Sequence, residues 1–124
     1  MARILIAEDE EPLRTLIKRA LAEEGHFVVA TADGSEALDT LQSEVSGFDL
    51  LLTDIKMPVM DGIALALAVA RDFPKLPILL MTGYADQRER VSGLEALICD
   101  VISKPFALAE IKFAVASALA KGKR

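Results

Sequence analysis

Five short apolar runs recur along the chain, and charged residues, glycine or proline separate them. Apolar runs of this length between turn residues are typical of strands that are buried on both faces. The pattern predicts five strands, at residues 3–7, 27–32, 48–53, 78–81 and 101–103. The fifth strand could also begin earlier, at Leu97.

Between the strands, apolar residues recur every three or four positions, which is the spacing of a helix with one buried face. The first such segment extends from Leu13 to Leu21, with Pro12 near its first turn and Gly25 as its stop. A second predicted helix starts after Asp33 and ends near residues 46–47. Three more are predicted at residues 62–73, 86–95 and 108–120.

Strands and helices therefore alternate along the whole chain. This alternation predicts an α/β fold in which right-handed crossovers build one five-stranded parallel sheet. The five helices would cover both faces of the sheet, as in doubly wound proteins. Because no internal repeat or linker interrupts the pattern, we expect residues 1–124 to form a single domain.

Composition narrows the class of protein. The longest uninterrupted apolar stretch, Ile63 to Ala70, is far shorter than the ~20 residues of a membrane span. The only cysteine, Cys99, and the only histidine, His26, exclude an internal disulfide and a His-rich metal cluster, and we interpret both as structural. A net charge of −5 argues against direct nucleic-acid binding. With no secretory signal at Met1, these features predict a cytoplasmic protein.

Polar residues follow the ends of four predicted strands. Because parallel strands end at one edge of the sheet, their polar neighbours converge there, as ligand-binding residues do in open sheets. The residues at this edge are Glu8, Asp9, Asp54, Thr82 and Lys104. Each has an ordinary interpretation alone, as helix-start acids, a turn aspartate, a strand-end hydroxyl and a surface lysine. Together they indicate a polar site.

Two carboxylates about 4 Å apart repel each other by about 1 kcal/mol in water and about 4 kcal/mol at an effective dielectric of 20. A hard divalent cation offsets that repulsion, and ligands that are all oxygen suit Mg²⁺. An ionised carboxylate beside Mg²⁺ can attack phosphorus in line while a lysine and a hydroxyl stabilise the equatorial oxygens. The chemistry indicated is phosphoryl transfer to Asp54.

The motifs at this edge resemble those of response-regulator receiver domains, of which CheY is the single-domain example. The matching segments are ILIAED at 4–9, DIKMP at 54–58, DG at 61–62, MTG at 81–83 and SKPF at 103–106. The resemblance covers essentially the whole chain. It implies a flavodoxin-like, CheY-like sheet of order 2-1-3-4-5.

The resemblance also implies a role for each site residue. Asp54 would accept the phosphoryl group, and Glu8, Asp9, Asp54 and the carbonyl of Lys56 would hold Mg²⁺. Thr82 would bond a phosphoryl oxygen, and Lys104, followed by a cis peptide to Pro105, would pair with the phosphoryl charge. The donor would be a phosphohistidine on a sensor histidine kinase or histidine phosphotransfer protein. Such a domain is not an enzyme for other substrates, since it catalyses only its own phosphorylation and dephosphorylation.

Three features depart from the usual pattern. Val101 stands where many receivers have the aromatic residue that swings inward on activation. Tyr84 lies two residues after Thr82, where its bulk would partly shield the acyl phosphate from water. No output domain follows, so we expect output through a partner protein. With Val101, the LLTDI and ISKP segments are also similar to those of CpdR-type single-domain receivers, which act in regulated proteolysis.

The predicted last helix carries two apolar stripes. One is interpreted as its core face, namely Leu108, Ile111, Val115, Ala118 and Leu119. The other includes Phe113 and either packs into a neighbouring crevice or forms part of a docking face with the last strand and the preceding helix. That preceding helix, residues 86–95, has few apolar anchors and an interior glycine, so we expect it to shift during switching.

Other classes fit less well. A phosphatase of the haloacid dehalogenase type needs a second acid two residues after the acceptor, where this chain has Lys56. A flavodoxin-like FMN carrier needs a phosphate-binding loop after the first strand, where Glu8 to Glu11 would repel phosphate. The remaining alternative is a receiver-fold binding module that works without phosphorylation.

Overall fold

The structure is a computed structural model that describes residues 1–45, 47–83 and 90–122. Its centre is a five-stranded sheet in which every neighbouring pair is parallel. The strands are β1 (Arg3–Ala7), β2 (Phe27–Thr31), β3 (Leu50–Asp54), β4 (Ile78–Thr82) and β5 (Asp100–Ser103). Their order is β2-β1-β3-β4-β5, which confirms the predicted sheet.

Four helices lie in the part of the chain that the structure describes. They are α1 (Glu11–Glu23), α2 (Gly34–Ser43), α3 (Gly62–Asp72) and α4 (Leu108–Gly122). The additional helix predicted at 86–95 lies partly outside the described residues. Within its described part only Arg90 and Val91 are helical, and turns follow at 92–93, so the predicted end at residue 95 was wrong. Gly93, with φ +91°, favours that turn.

The helices bury two apolar layers, one on each face of the sheet. Along β1, Ile4 and Ile6 face one layer with α1 and α4, while Leu5 and Ala7 face the other with α2 and α3. Every residue of β3 and β4 is buried, as expected for central strands covered on both sides. The strands that carry Asp54 and Thr82 are therefore held by packing from both faces.

Some predicted limits and faces require correction. α2 ends at Ser43 rather than near 46–47, since Glu44 already has an extended backbone. In α4, Ile111, Val115 and Ala118 are buried as predicted, whereas Leu108, at the first turn, is 36% exposed. Leu108 is the first residue of α4, so no preceding turn of the helix packs beside it.

The structural interpretations of the lone histidine and cysteine fit their surroundings. His26 Nδ1 accepts a hydrogen bond of 3.1 Å from the Ala2 N–H, at the amino end of the sheet. Cys99 is partly buried against the core, and its N–H donates to the Ile78 carbonyl over 2.8 Å. Both residues connect chain segments at strand starts.

Among the described residues, no helix combines the length and hydropathy needed to cross a bilayer.

Candidate phosphoacceptor site

The register of the sheet brings the predicted site residues to one edge. Ala7 is paired with Thr53, so Glu8 follows β1 at the level where Asp54 ends β3. Asp54 is paired with Met81, which places Thr82 one position further out on β4. Thr82 is in turn paired with Ser103, and Lys104 follows it. Successive strands thus present their polar residues in steps along one edge of the sheet.

The cleft at this edge has a volume of about 820 Å³. Its polar wall contains Glu8, Asp9, Asp54 and Lys104, and its apolar wall includes Leu13, Met57, Pro58, Pro105 and Phe106. Lys56 and Gly83 also line it. The predicted cis peptide between Lys104 and Pro105 is present.

Three carboxylates meet in this cleft. Glu8, Asp9 and Asp54 each place an oxygen within 4.8 Å of the oxygens of the other two. Glu8 and Asp54 are buried, whereas Asp9 is exposed at the mouth. These are hard oxygen ligands on one side of an open cleft, and that arrangement fits Mg²⁺, which retains several waters.

Lys104 connects two of these acids. Its Nζ lies 3.0 Å from Glu8 Oε1 and 3.1 Å from Asp54 Oδ2. Glu8 Oε2 accepts the Glu10 N–H over 3.0 Å, and Asp54 Oδ1 accepts the Ile55 N–H over 3.0 Å. Both buried carboxylates therefore have fixed orientations.

Burial dominates the ionisation of the site. It raises the pKa of Glu8 from 4.5 to about 7, and the negative charge of Asp54 adds to this rise. Burial also raises the pKa of Asp54, although Lys104 opposes the change. Burial of the Lys104 ammonium lowers its pKa, but the negative charges of Asp54 and Glu8 outweigh this effect, so the pKa of Lys104 is raised. The acids are costly to ionise together without more positive charge.

Thr82 adds a polar group without a partner. Its side chain is 1% exposed, and its Oγ1 forms no hydrogen bond within the part of the chain that the structure describes. An unpaired buried hydroxyl typically costs about 1–3 kcal/mol. A ligand oxygen at this edge of the sheet would satisfy it.

The loop after Asp54 is fixed by close packing. A Cβ at position 62 would collide with the Asp54 carbonyl oxygen, so only glycine allows α3 to begin there. The Gly62 N–H donates to the Ile55 carbonyl over 2.7 Å. The Asp61 side chain then caps α3 by accepting the Ala64 N–H over 2.9 Å. The DG motif thus holds the start of α3 against the acceptor strand.

Tyr84, the residue expected to shield the site, lies outside the described residues. Two arginines that contact segments beside the site were not predicted from the sequence. Arg90 Nη2 lies 2.6 Å from Asp61 Oδ2, and Arg14 reaches back from α1 to the Glu8 and Asp9 carbonyls. The basic residue Arg14, one turn after an acidic loop, could have indicated its contact in the sequence. The contact of Arg90 spans 29 residues, and no local pattern in the sequence indicates it.

Fold and site together define a receiver, and comparison with known proteins agrees. Residues 4–116 match the family model described as response regulator receiver domain. The chain therefore belongs to this family, whose members act in two-component signalling. The acidic cluster in the cleft, Glu8, Asp9 and Asp54, is compatible with Mg²⁺ binding.

Individual relatives show the extent of the similarity. The response regulator MprA of Mycobacterium avium is 38% identical over 109 residues, covering 88% of this chain and 47% of MprA. The response regulator RppA of Synechocystis is 35% identical, covering 88% of this chain and 47% of RppA. The chain spans about half the length of these curated relatives.

A solved structure extends the comparison to three dimensions. The CheY-like receiver domain protein of Methanospirillum hungatei superposes with a TM-score of 0.90 at 29% identity. The match covers 99% of this chain and 97% of that one. The two chains therefore share the receiver fold over nearly their full lengths.

Proposed function

We propose that this receiver is phosphorylated on Asp54 by a phosphohistidine donor in a Mg²⁺-dependent reaction, and that the change controls binding to a partner protein. The observation that carries the proposal is the group of three carboxylates with Lys104 in one cleft, together with the unpaired Thr82 hydroxyl at the same edge of the sheet. The donor would be a sensor histidine kinase or a histidine phosphotransfer protein. The protein would act in a phosphorelay as a phosphoacceptor rather than as an enzyme for other substrates.

In the transfer step, an Asp54 carboxylate oxygen attacks the phosphorus in line. A P–O bond forms as the P–N bond to the donor imidazole breaks, and the electron pair of that bond stays on the imidazole. Asp54 ends β3 and lines the open cleft, so its carboxylate lies on the side from which a donor would approach. Positioning is the main contribution that a protein makes to this reaction.

The surrounding residues would stabilise charge on the transferred group. Lys104, already 3.1 Å from Asp54, would pair with a phosphoryl oxygen, and the Thr82 hydroxyl would donate to another. Glu8, Asp9, Asp54 and the Lys56 carbonyl are the ligands proposed for Mg²⁺. The bound ion would supply positive charge for the phosphoryl oxygens and the clustered carboxylates.

The output surface is proposed to lie on β5 and α4. Phe113 is 76% exposed, which favours a docking surface over packing of its ring into a crevice. Beside it, a groove of about 550 Å³ is lined by residues of β5 and α4. The preceding segment, residues 84–89, is outside the described residues, and its part in this face stays a prediction.

The proposal is tested by intact mass after incubation with Mg²⁺ and acetyl phosphate. Wild type should gain one phosphoryl group, and the gain should disappear in Asp54→Ala and on removal of Mg²⁺ with EDTA. Asp39→Ala, which removes an exposed carboxylate from α2, is the matched control and should be phosphorylated like wild type.

No gain from acetyl phosphate or from any phosphohistidine donor would contradict phosphorylation of Asp54. The exposed surface around Phe113 would then support the second candidate, a receiver-fold binding module that works without phosphorylation.

A further inference from the structure

Arg14 contacts the loop that carries two of the proposed metal ligands. Its Nη1 donates to the Glu8 carbonyl over 2.9 Å and lies 3.5 Å from the Asp9 carbonyl. One guanidinium nitrogen thus spans both peptide units. These are backbone contacts, so they leave the carboxylates of Glu8 and Asp9 free to face the cleft.

The position of Arg14 in its helix is unfavourable by itself. It lies in the first turn of α1, where the helix dipole disfavours a cation. The cap residue of this helix, Glu10, makes no side-chain capping bond. The negative charge of the acidic loop and the hydrogen bonds to its carbonyls offset this unfavourable dipole interaction. The position of the guanidinium therefore depends on that loop.

The two metal-ligand side chains depend on this loop to different degrees. Glu8 is fixed by its own contacts, because its N–H donates to the Thr31 carbonyl and its carboxylate binds Lys104. The Asp9 carboxylate, by contrast, is exposed and forms no hydrogen bond within the described ranges of the chain. Its direction is therefore set by the loop backbone that Arg14 holds.

We propose that Arg14 is a positioning residue that holds the β1–α1 loop so that the Asp9 carboxylate faces the same divalent cation as those of Glu8 and Asp54. This inference rests on the proposed function, in which these acids bind Mg²⁺. It adds a residue that is outside the ligand set and acts through the backbone of its ligands.

A guanidinium near a cation site could also act only as a repelling charge. The two roles predict opposite changes in Mg²⁺ affinity when Arg14 is removed. If Arg14 positions the loop, its loss weakens Mg²⁺ binding, because the Asp9 carboxylate is no longer held in advance beside those of Glu8 and Asp54. If it only repels the metal, its loss strengthens binding.

The experiment compares Arg14→Met with Arg19→Met, which removes an exposed arginine from the same helix. Mg²⁺ is titrated while two-dimensional ¹H–¹⁵N NMR follows the amides of residues 8–10 and 54–55. We expect the Kd of Arg14→Met to rise about 10-fold, as is typical when a group that orients a metal ligand is removed. Arg19→Met should keep the wild-type Kd.

Arg14→Lys and thermal unfolding in EDTA separate positioning from general loss of structure. Lysine keeps the charge and one donor nitrogen, so it should recover part of the affinity. An unchanged or lower Kd in Arg14→Met, or a Kd raised only in proportion to a lost Tm, would overturn the role of Arg14. A wild-type protein whose amides do not respond to Mg²⁺ would instead contradict the proposed metal site itself.

Discussion

The ammonium of Lys104 lies 3.0 Å from the carboxylate of Glu8, and it also contacts Asp54, so one lysine supplies positive charge to two buried acids. Lys104 follows the last strand and Glu8 follows the first, 96 residues apart. This contact neutralises part of the acidic cleft before any cation or phosphoryl group binds. In the proposed phosphorylation of Asp54, Lys104 would therefore have to exchange a carboxylate partner for a phosphoryl oxygen.

Lys104→Met should destabilise the domain at pH 8, because it leaves two buried carboxylates without their cation. Removing one member of a buried ion pair costs about 3–5 kcal/mol, and the 23% exposure of the lysine side chain favours the lower end, about 3 kcal/mol. Urea unfolding measures the loss. Lys18→Met, a change at an exposed site on α1, is the control and should alter stability by less than about 0.5 kcal/mol. Equal effects of the two changes would show that the buried pairs contribute nothing.

The raised pKa of Glu8 predicts a particular pH dependence. Since the folded protein binds this proton more tightly than the unfolded chain, stability contributed by Glu8 is full below pH 4.5 and is lost as pH rises to about 7. Glu8→Gln should therefore be more stable than wild type above pH 7, by an amount on the order of 3 kcal/mol. The difference should shrink towards pH 4.5.

Unfolding free energies of wild type and Glu8→Gln at pH 4.5 to 8, measured in EDTA, give that difference directly. Mg²⁺ should reduce it at pH 8, since a bound cation stabilises the ionised carboxylate of wild type. A difference that does not change with pH would contradict the raised pKa.

Asp61 uses its two carboxylate oxygens for two contacts. One caps α3 through the Ala64 N–H, and the other pairs with Arg90. Asp61→Ala should cost about 1–2 kcal/mol because it removes the cap. Arg90→Ala should cost about 0.5 kcal/mol, since this ion pair is partly exposed. Asp61→Asn keeps a capping oxygen and should resemble Arg90→Ala, so a loss as large as that of Asp61→Ala would show that the charge matters more than the cap.

Val59 is a β-branched residue in the left-handed region, with φ +67°, and is 87% exposed. Little packing compensates for that conformation, which is strained for valine. Val59→Gly should raise the free energy of unfolding by about 1 kcal/mol. Val45→Gly changes another exposed valine that lacks a positive φ, and it should lower stability. Thermal unfolding compares the two, and a loss in both would contradict the strain at Val59.

Phe113 and Ile111 lie two positions apart on α4 but differ in burial, at 76% and 0% exposed. Phe113→Asp should shift Tm by little, since exposed substitutions usually change stability by less than about 0.5 kcal/mol. Ile111→Asp should prevent stable folding because it buries a charge. A large loss of Tm in Phe113→Asp would show that the ring packs against the domain and would argue against a docking role.

The sequence determined the class of fold and which polar residues meet at one edge of the sheet. Alternating apolar runs and helical periodicity are local properties, and they correctly predicted the five strands and four helices of the described residues to within a few residues. The carboxyl ends of parallel strands lie at one edge of the sheet. The sequence alone therefore placed Glu8, Asp54, Thr82 and Lys104 together at that edge. Their family motifs then specified the expected roles.

Tertiary structure decided which groups contact each other and how strongly each is buried. That Lys104 bridges Glu8 and Asp54, and that Arg14 holds the loop carbonyls, depends on side-chain directions that spacing does not encode. The exposure of Leu108 and Phe113 likewise depends on what packs beside α4. Hydrophobic periodicity records only which face of an element is apolar, whereas burial and pKa depend on all the atoms that the fold brings around each group.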